Sequence, residues 1–447
     1  MTSGPTTVAL TRGTQPLEIT DEFQTALTLM EQSGRSVFVT GRAGTGKSTL
    51  LHHFKSTTKR KHVTLAPTGI AALRVGGQTL HSFFGFPHHF LEPTQVKKAK
   101  RYRKVIEKLE CLIIDEVSMV RADVFDAVDR ALRITRNNPA PFGGVQVLLF
   151  GDVFQLPPVV ERGLESVFAE RFPGPFFFDS DAWQKLNPVG LELTKVFRQV
   201  SDPRFVDLLN RVRNGSTTSA DLAALNDRIR PASDTAGHPL VLTATNAIAR
   251  DINTARLNAI RGPAQTYAAR VEGDFEESSY PTDEHLALKQ GAQVLMVRND
   301  PEKKWVNGDV GEVTYLGTDH VRVRIGDETH DVRPVVWEKH VYRLDDKSKE
   351  ITPSVVGTFE QMPLKLAWAI TIHKSQGQTY ENVAVDLGTG AFAHGQTYVA
   401  LSRCRRLDGL TLRRPLRARD ILCHPRVHEF HRRWVGVFRN GAPGNLS

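Results

Sequence analysis

Ser36-Val37-Phe38-Val39-Thr40-Gly41-Arg42-Ala43-Gly44-Thr45-Gly46-Lys47-Ser48-Thr49 is the stretch on which the fold turns. Val37 to Val39 is an apolar run of buried-strand type. From Gly41 to Ser48 the spacing G-x-x-x-x-G-K-[ST] holds without a mismatch, and Thr49 to Phe54 continues as a helix. Strand, glycine loop and helix in that order make a phosphate cradle. The glycines let successive N–H groups point inward, and the helix aims its positive end at the same place. Lys47 is placed to reach terminal phosphates, and the Ser48 hydroxyl to ligate Mg²⁺. A glycine turn before an ordinary helix would not need this Lys-Ser pair. The chain is expected to bind a nucleoside triphosphate.

The bulk properties narrow the setting. A chain of 447 residues exceeds one ordinary core. Its net charge of +9 favours a polyanionic partner such as nucleic acid. Three cysteines are too few for a disulfide framework and suit a reducing compartment. No apolar run approaches the roughly 20 residues that span a bilayer, and residues 1–18 read as a disordered tail. No membrane role is expected, and the setting expected is cytoplasmic and nucleoid-associated.

Around the loop the strand–loop–helix order repeats. A helix with Thr20 as N-cap precedes it and carries Gln24 on its polar side. His62 to Ala66 is a strand leading into Thr68. His81 and Ser82 follow a Gly76-Gly77 turn, and all three polar groups sit where open α/β sheets place ligands or, equally, where ordinary caps sit. Cys111-Leu112-Ile113-Ile114-Asp115-Glu116 is an apolar strand ending in two carboxylates. After a phosphate loop, Asp115 is expected to hold Mg²⁺ through its water shell and Glu116 to polarise the attacking water. Gln146 to Phe150 is a further strand, and Gln155 beyond it can sense a γ-phosphate. Between these elements, residues 85–108 carry seven Lys/Arg beside aromatics. Such a segment suits either a base-stacking surface or a solvated helix face.

The second half resumes the pattern at Leu191-Glu192-Leu193-Thr194, which reads as the opening of a second α/β region. Residues 291–362 change to short alternating strands with an Asn307-Gly308-Asp309 turn, the look of a small inserted β-barrel. The α/β pattern returns before His373-Lys374-Ser375-Gln376-Gly377. Arg198 and Arg403 lie far from the loop in sequence, and either could reach a γ-phosphate held by the other domain. His424, His428 and His431 near the end lack a second spaced ligand pair, so a basic amphipathic helix is expected rather than a zinc site.

This motif series resembles superfamily-one DNA helicases of the petite-integration-frequency (PIF) type, related to the RecD-like enzymes. It runs in order through Gly41–Thr49, Pro67–Ala72, Gly77–Phe84, Asp115–Met119, Pro141–Pro158, Phe197–Gln199, Thr371–Thr379 and Tyr398–Arg403. The fold implied is α/β: two RecA-like parallel-sheet P-loop NTPase domains with a small inserted β-barrel. The division expected is tail 1–18, first domain 19–190 with a strand-separating wedge at 85–108, second domain 191–290 and 363–447, and barrel 291–362. The C-terminal end of that second domain is a basic tail.

Residue by residue, Gln24 resembles the adenine-reading glutamine. Gly41, Ala43, Gly44, Thr45, Gly46, Lys47, Ser48, Thr49 and Gly377 match nucleotide contacts. Lys47, Asp115 and Glu116 match the hydrolytic core, Gln155 the γ-phosphate sensor, and Arg198 and Arg403 the two arginine fingers. Ser48 and Asp115 match the Mg²⁺ ligands. Thr68, His81, Ser82, His373, Lys374 and Ser375 match positions along single-stranded DNA.

The resemblance implies ATP-driven 5′-to-3′ movement by a monomer on single-stranded DNA, with unwinding of duplexes, forks or G-quadruplexes in repair, recombination or replication. An RNA helicase, or an ATP-gated nucleic-acid-binding subunit that does not unwind, would use the same motifs. Val153 departs from the aromatic usual at its position. The resemblance ends soon after Arg403, so the accessory domains of larger relatives are not expected.

Overall fold

The computed structural model describes residues 19–87, 89–160, 164–199, 202–231, 239–345 and 350–438, and the expected tail 1–18 lies outside them. Six strands form one parallel sheet: β1 (Val37–Gly41), β2 (His62–Ala66), β3 (Gln78–Thr79), β4 (Cys111–Ile114), β5 (Gln146–Phe150) and β6 (Val189–Leu193). Their spatial order is β3-β2-β4-β5-β1-β6. β1, β4 and β5 are buried along their whole length, as near-continuous apolar strands in a sheet covered on both faces must be. Because the strands run parallel, the chain leaves β1, β2, β4 and β5 along one edge. That edge receives the glycine loop, Thr68, Asp115–Glu116 and Gly151–Gln155.

One expectation is corrected here. Leu191-Glu192-Leu193 does not open the second region. It belongs to β6, which pairs with β1 from Val37↔Val189 to Gly41↔Leu193. Its half-covered pattern is that of an edge strand, and the sequence alone does not say which sheet such an edge joins.

The second parallel sheet orders Ala369–Thr371, Leu240–Thr243, Val383–Asp386 and Leu410–Leu412 side by side. Helix Pro203–Arg213 packs Phe205, Leu208, Leu209 and Val212 into its core. Between the segments of this lobe, Gln293–Met296, Val310–Leu316, Val321–Ile325, Glu328–Val332 and Leu364–Leu366 form an antiparallel sheet around Trp305, Val313 and Val323. Its outer strands, Glu328–Val332 and Leu364–Leu366, are not paired to each other. A long hairpin, Val335–Leu344 with Ile351–Gln361, extends from it to the first lobe. There Val341 and Tyr342 join the core.

The basic segment shows how composition divides. Val96, Ala99, Tyr102, Val105 and Ile106 are buried in the first lobe, while Lys97, Lys98, Lys100, Arg101, Arg103, Lys104 and Lys108 are all exposed. Tyr102 stacks on Phe83 with ring centroids 4.6 Å apart. The segment is therefore a packed platform with a cationic outer face. Helix Pro425–Phe438 likewise buries its apolar side against the first lobe, where Phe430 stacks on Phe178 at 4.2 Å. Its histidines turn to aromatic neighbours: His428 and His431 lie edge-on to Phe154, and His424 to Phe176. No helix among the described residues is long and apolar enough to cross a membrane.

Candidate functional site

The glycine loop leaves β1 and ends at Gly46, which precedes helix Lys47–Thr57 with φ 88° and no side-chain cap. Its helix-end N–H groups are therefore free to meet an anion. Gly44 has φ 81°, and a Cβ there would lie 2.4 Å from the Cβ of Arg198, so only glycine lets that arginine approach. The Lys47 ammonium donates to the carbonyls of Gly41 and Arg42 at 2.6 and 2.9 Å. Burial lowers its pKa, opposed by the charges of Asp152 and Glu116. Ala43 N–H donates to the Tyr398 hydroxyl, which comes from the second lobe, at 3.0 Å. Thr45 closes the loop internally through the Arg42 carbonyl. Ser48 and Thr49 are exposed at the helix start, and Gln24 is exposed on the neighbouring helix, whose Phe23 packs against Gly46.

Asp115 and Glu116 follow β4, as the apolar run predicts. Asp115 is buried, and its Oδ2 has no hydrogen-bond partner among the described residues. Burial, then the charge of Glu116, pushes its pKa up to about 6. A buried, unpartnered carboxylate oxygen beside a lysine-bearing phosphate loop fits a hard cation. Glu116 stands in left-handed backbone at φ 50°, a conformation that few non-glycine residues adopt and that clusters at functional sites. Its carboxylate accepts from Arg74 at 3.1 Å.

Two arginines converge on this pocket, Arg198 from the segment that follows β6 and Arg403 from the second lobe. Arg198 reaches the Gly377 carbonyl at 3.4 Å, and its Nη1 has no partner among the described residues. Arg403 is buried, donating to the carbonyls of Val399, Ser375 and Gln378. Burial and then the charge of Arg403 push the Arg198 pKa down. Two neighbouring guanidiniums, one with an unsatisfied donor and neither held by a carboxylate among the described residues, describe a place for an anion. Gln155 is buried after β5, its amide 3.5 Å from Asp152 Oδ2.

The residues matched to DNA divide into two groups. Thr68 is exposed and caps helix Gly69–Arg74, accepting from Ala71 N–H. His81 and Ser82 are half-buried nearby. A narrow cleft runs between Gly69, Thr79 and Ser82 on this side and Lys339 of the long hairpin, with Phe275 and Glu276 from the segment after Arg270–Gly273, a strand paired to that hairpin. On the second lobe Lys374 is exposed and His373 half-buried, whereas Ser375 is fully buried and donates to the Ile372 carbonyl. In this arrangement Ser375 serves the turn that receives Arg403.

Four residues here carried no role in the sequence reading: Arg74, Arg213, Tyr342 and Tyr398. Arg213 pairs with Asp152 at 2.9 Å in the interior. Burial favours a neutral Asp152, but the charges of Arg213 and Lys47 outweigh it and hold the carboxyl below its usual range.

Known proteins share this fold and much of this sequence. A family profile described as PIF1-like helicase matches residues 18–222. The ATP-dependent DNA helicase Pif1 of Bdellovibrio bacteriovorus is 33% identical, over 94% of this chain and 93% of its own length. The crystal structure of Bacteroides sp Pif1 in complex with ADP-AlF4 superposes with a TM-score of 0.88 at 36% identity, covering 94% of this chain and 98% of that one. The same protein bound to ssDNA, with the same identity and coverage, gives 0.68. The human ATP-dependent DNA helicase PIF1 is 36% identical over 92% of this chain. The chain spans 63% of that protein, and about three fifths of other eukaryotic relatives.

Proposed function

The chain belongs to the PIF1-like helicase family, and from that premise we propose that it is an ATP-dependent DNA helicase that moves 5′-to-3′ on single-stranded DNA. The observation that carries the reading is the pair Arg198 and Arg403. Both come from outside the phosphate loop, and Arg198 lies directly against Gly44 of that loop. ATP held by Gly41–Thr49 is then felt by both lobes at once. Lys47 and the loop amides bind the phosphates, Glu116 takes the proton of the attacking water, and Gln155 faces the γ-phosphate. Ser48 and the unpartnered Asp115 oxygen would hold Mg²⁺, which supplies charge neutralisation at the β- and γ-phosphates.

Closure of the lobes shifts the grip of His373 and Lys374 on the strand relative to that of Thr68, His81 and Ser82. The exposed lysines and arginines of 97–108 lie beside the first of these grips and guide the separated strands. Phosphate contacts dominate such binding, so affinity falls steeply with salt. Relatives crystallised with ssDNA and at forked dsDNA support DNA as the track. Forks and G-quadruplexes, action as a monomer and a cytoplasmic, nucleoid-associated setting complete the proposal.

Strand displacement on duplexes with 5′ or 3′ single-stranded tails tests it. The 5′-tailed duplex should be opened with ATP and Mg²⁺, and Lys47→Ala should abolish opening. ATP hydrolysis stimulated by DNA without any displacement would leave a nucleotide-gated binding subunit. Stimulation by RNA in preference to DNA would make it an RNA helicase.

A further inference from the structure

We propose that Arg213 is a positioning residue that fastens the loop carrying Gln155 to the second lobe, so that what Gln155 meets at the nucleotide is felt by helix Pro203–Arg213. The inference rests on the ATP-driven reading above and deepens it, by naming a buried route through which the pocket is coupled to the lobe that moves.

Several observations converge on this pair. The Arg213 and Asp152 side chains are 3% and 0% exposed, although they belong to different lobes. Asp152 directly precedes the Val153-Phe154-Gln155 turn, and its Oδ1 also accepts from Phe154 N–H at 3.2 Å. Its other oxygen faces the Gln155 amide. The Arg213 guanidinium lies 4.1 Å from the centre of the Phe154 ring. One arginine thus grips the turn by charge at Asp152 and by stacking at Phe154, the residue directly before Gln155.

The grip is rigid at its source. Phe205, Leu208, Leu209 and Val212 of the same helix are packed in the core of the second lobe. A second clasp holds the same turn. The His394 ring nitrogen is 3.0 Å from the Val153 carbonyl, and a Cβ at Gly395 would lie 2.3 Å from the Phe154 carbonyl. The turn therefore cannot shift without moving the second lobe or breaking both clasps.

A purely structural role fits these facts less well. A buried ion pair is weak support for stability, and apolar residues of similar size usually do as well or better. Its best-attested use is to fix one arrangement over another. Among the described residues Arg213 Nε is also buried without a partner, so the guanidinium is not the fully satisfied end of a static network.

The test uses the full chain. Arg213→Lys keeps the charge but loses the planar stack, and Asp152→Asn keeps the shape but loses the charge. Each should cut the stimulation of ATP turnover by single-stranded DNA about tenfold, with KM for ATP changed less than about twofold. The double variant should lose no more than either single one, as members of one unit do. Folded variants with full stimulation, or losses that add, would overturn the proposal. Amide exchange on the unaltered chain supplies an arm that needs neither DNA nor a variant. On adding ADP with aluminium fluoride, residues 151–156 and 203–213 should gain protection together. A response confined to 151–156 would overturn the coupling even if no variant folds. An unaltered chain whose ATP turnover ignores DNA would instead sink the helicase reading, and the exchange arm would still decide on Arg213.

Discussion

The Arg74 guanidinium donates to Glu116 Oε1 at 3.1 Å and, through its other amino group, to the Gln376 carbonyl of the second lobe, also at 3.1 Å. The proposed base is therefore held by a first-lobe arginine that simultaneously touches the opposite lobe. Removing that arginine should leave ATP binding intact while the carboxylate loses its orientation. Arg74→Ala is expected to lower kcat about tenfold with little change in KM. Steady-state ATP hydrolysis in the presence of single-stranded DNA checks this, and a change confined to KM would mean that Arg74 serves binding alone.

Glu116→Gln tests the base itself. The amide keeps the side chain's size and its place beside Arg74 but cannot accept the proton of an attacking water. General-base loss of this kind costs roughly 10²–10⁴-fold in turnover. ATP affinity, read by fluorescence of a labelled nucleotide, should stay near that of the unaltered chain. Normal turnover in this variant would show that another group takes the proton.

What was legible in the sequence was local. Lys47, Ser48, Asp115, Glu116 and Gln155 each follow an apolar strand within a few residues, and a parallel sheet gathers such strand ends on one edge. The residues that tie the lobes together left no such trace. Tyr398 finds Ala43 at a separation of 355 residues, Tyr342 finds Thr64 at 278, and Arg213 finds Asp152 at 61. Each lies in an ordinary helix or strand pattern, and only the packing of one lobe on the other reveals its partner. The pairing of Val189–Leu193 with β1 was hidden for the same reason, since nothing local in that strand says which sheet its edge joins.

Asp126 makes the fold sensitive to pH. It sits on helix Ala122–Arg136, half-buried, accepting from Ala182 N–H at 2.7 Å. Burial raises its pKa to about 6, with that hydrogen bond pulling the other way. The folded chain therefore takes up this proton more readily than the unfolded chain, whose aspartates titrate near 3.9. The stabilising contribution is full below about pH 4, is lost as pH rises through about 6, and stays absent above that. Asp126→Asn keeps the acceptor oxygen and removes the ionisation. It should stabilise the chain at pH 7.5 by about 1–2 kcal/mol after allowance for the water that reaches this half-buried group. Urea unfolding at pH 7.5 and pH 4.5 should show the gain shrinking at the lower value. An equal gain at both would place its origin in packing.

Tyr342 fastens the long hairpin to the first lobe, and this contact is expected to compete with DNA for the proposed strand-binding face. β3 pairs with β2 only at Leu65 and Ala66, which leaves the Thr64 backbone open on that side. The Tyr342 hydroxyl fills the place, accepting from Thr64 N–H at 3.0 Å. The strand Arg270–Gly273 pairs with this hairpin, and the turn after it lies over the proposed DNA surface, where a Cβ at Gly69 would be only 2.5 Å from Ser279 Oγ. Tyr342→Phe would leave the buried Thr64 amide unpaired, at a cost of about 1–3 kcal/mol. The docked arrangement loses that support, whereas a DNA-bound arrangement with the hairpin lifted does not depend on it. A ligand that selects the undocked form binds more tightly as that form becomes more populated. The variant should therefore unfold at lower temperature yet hold single-stranded DNA more tightly, by up to about tenfold if roughly 1.4 kcal/mol of the lost support is specific to docking. Fluorescence anisotropy with a labelled oligonucleotide, beside a thermal melt, separates the two effects. A lower melting temperature with unchanged DNA affinity would mean that the hairpin and the strand do not compete for this face.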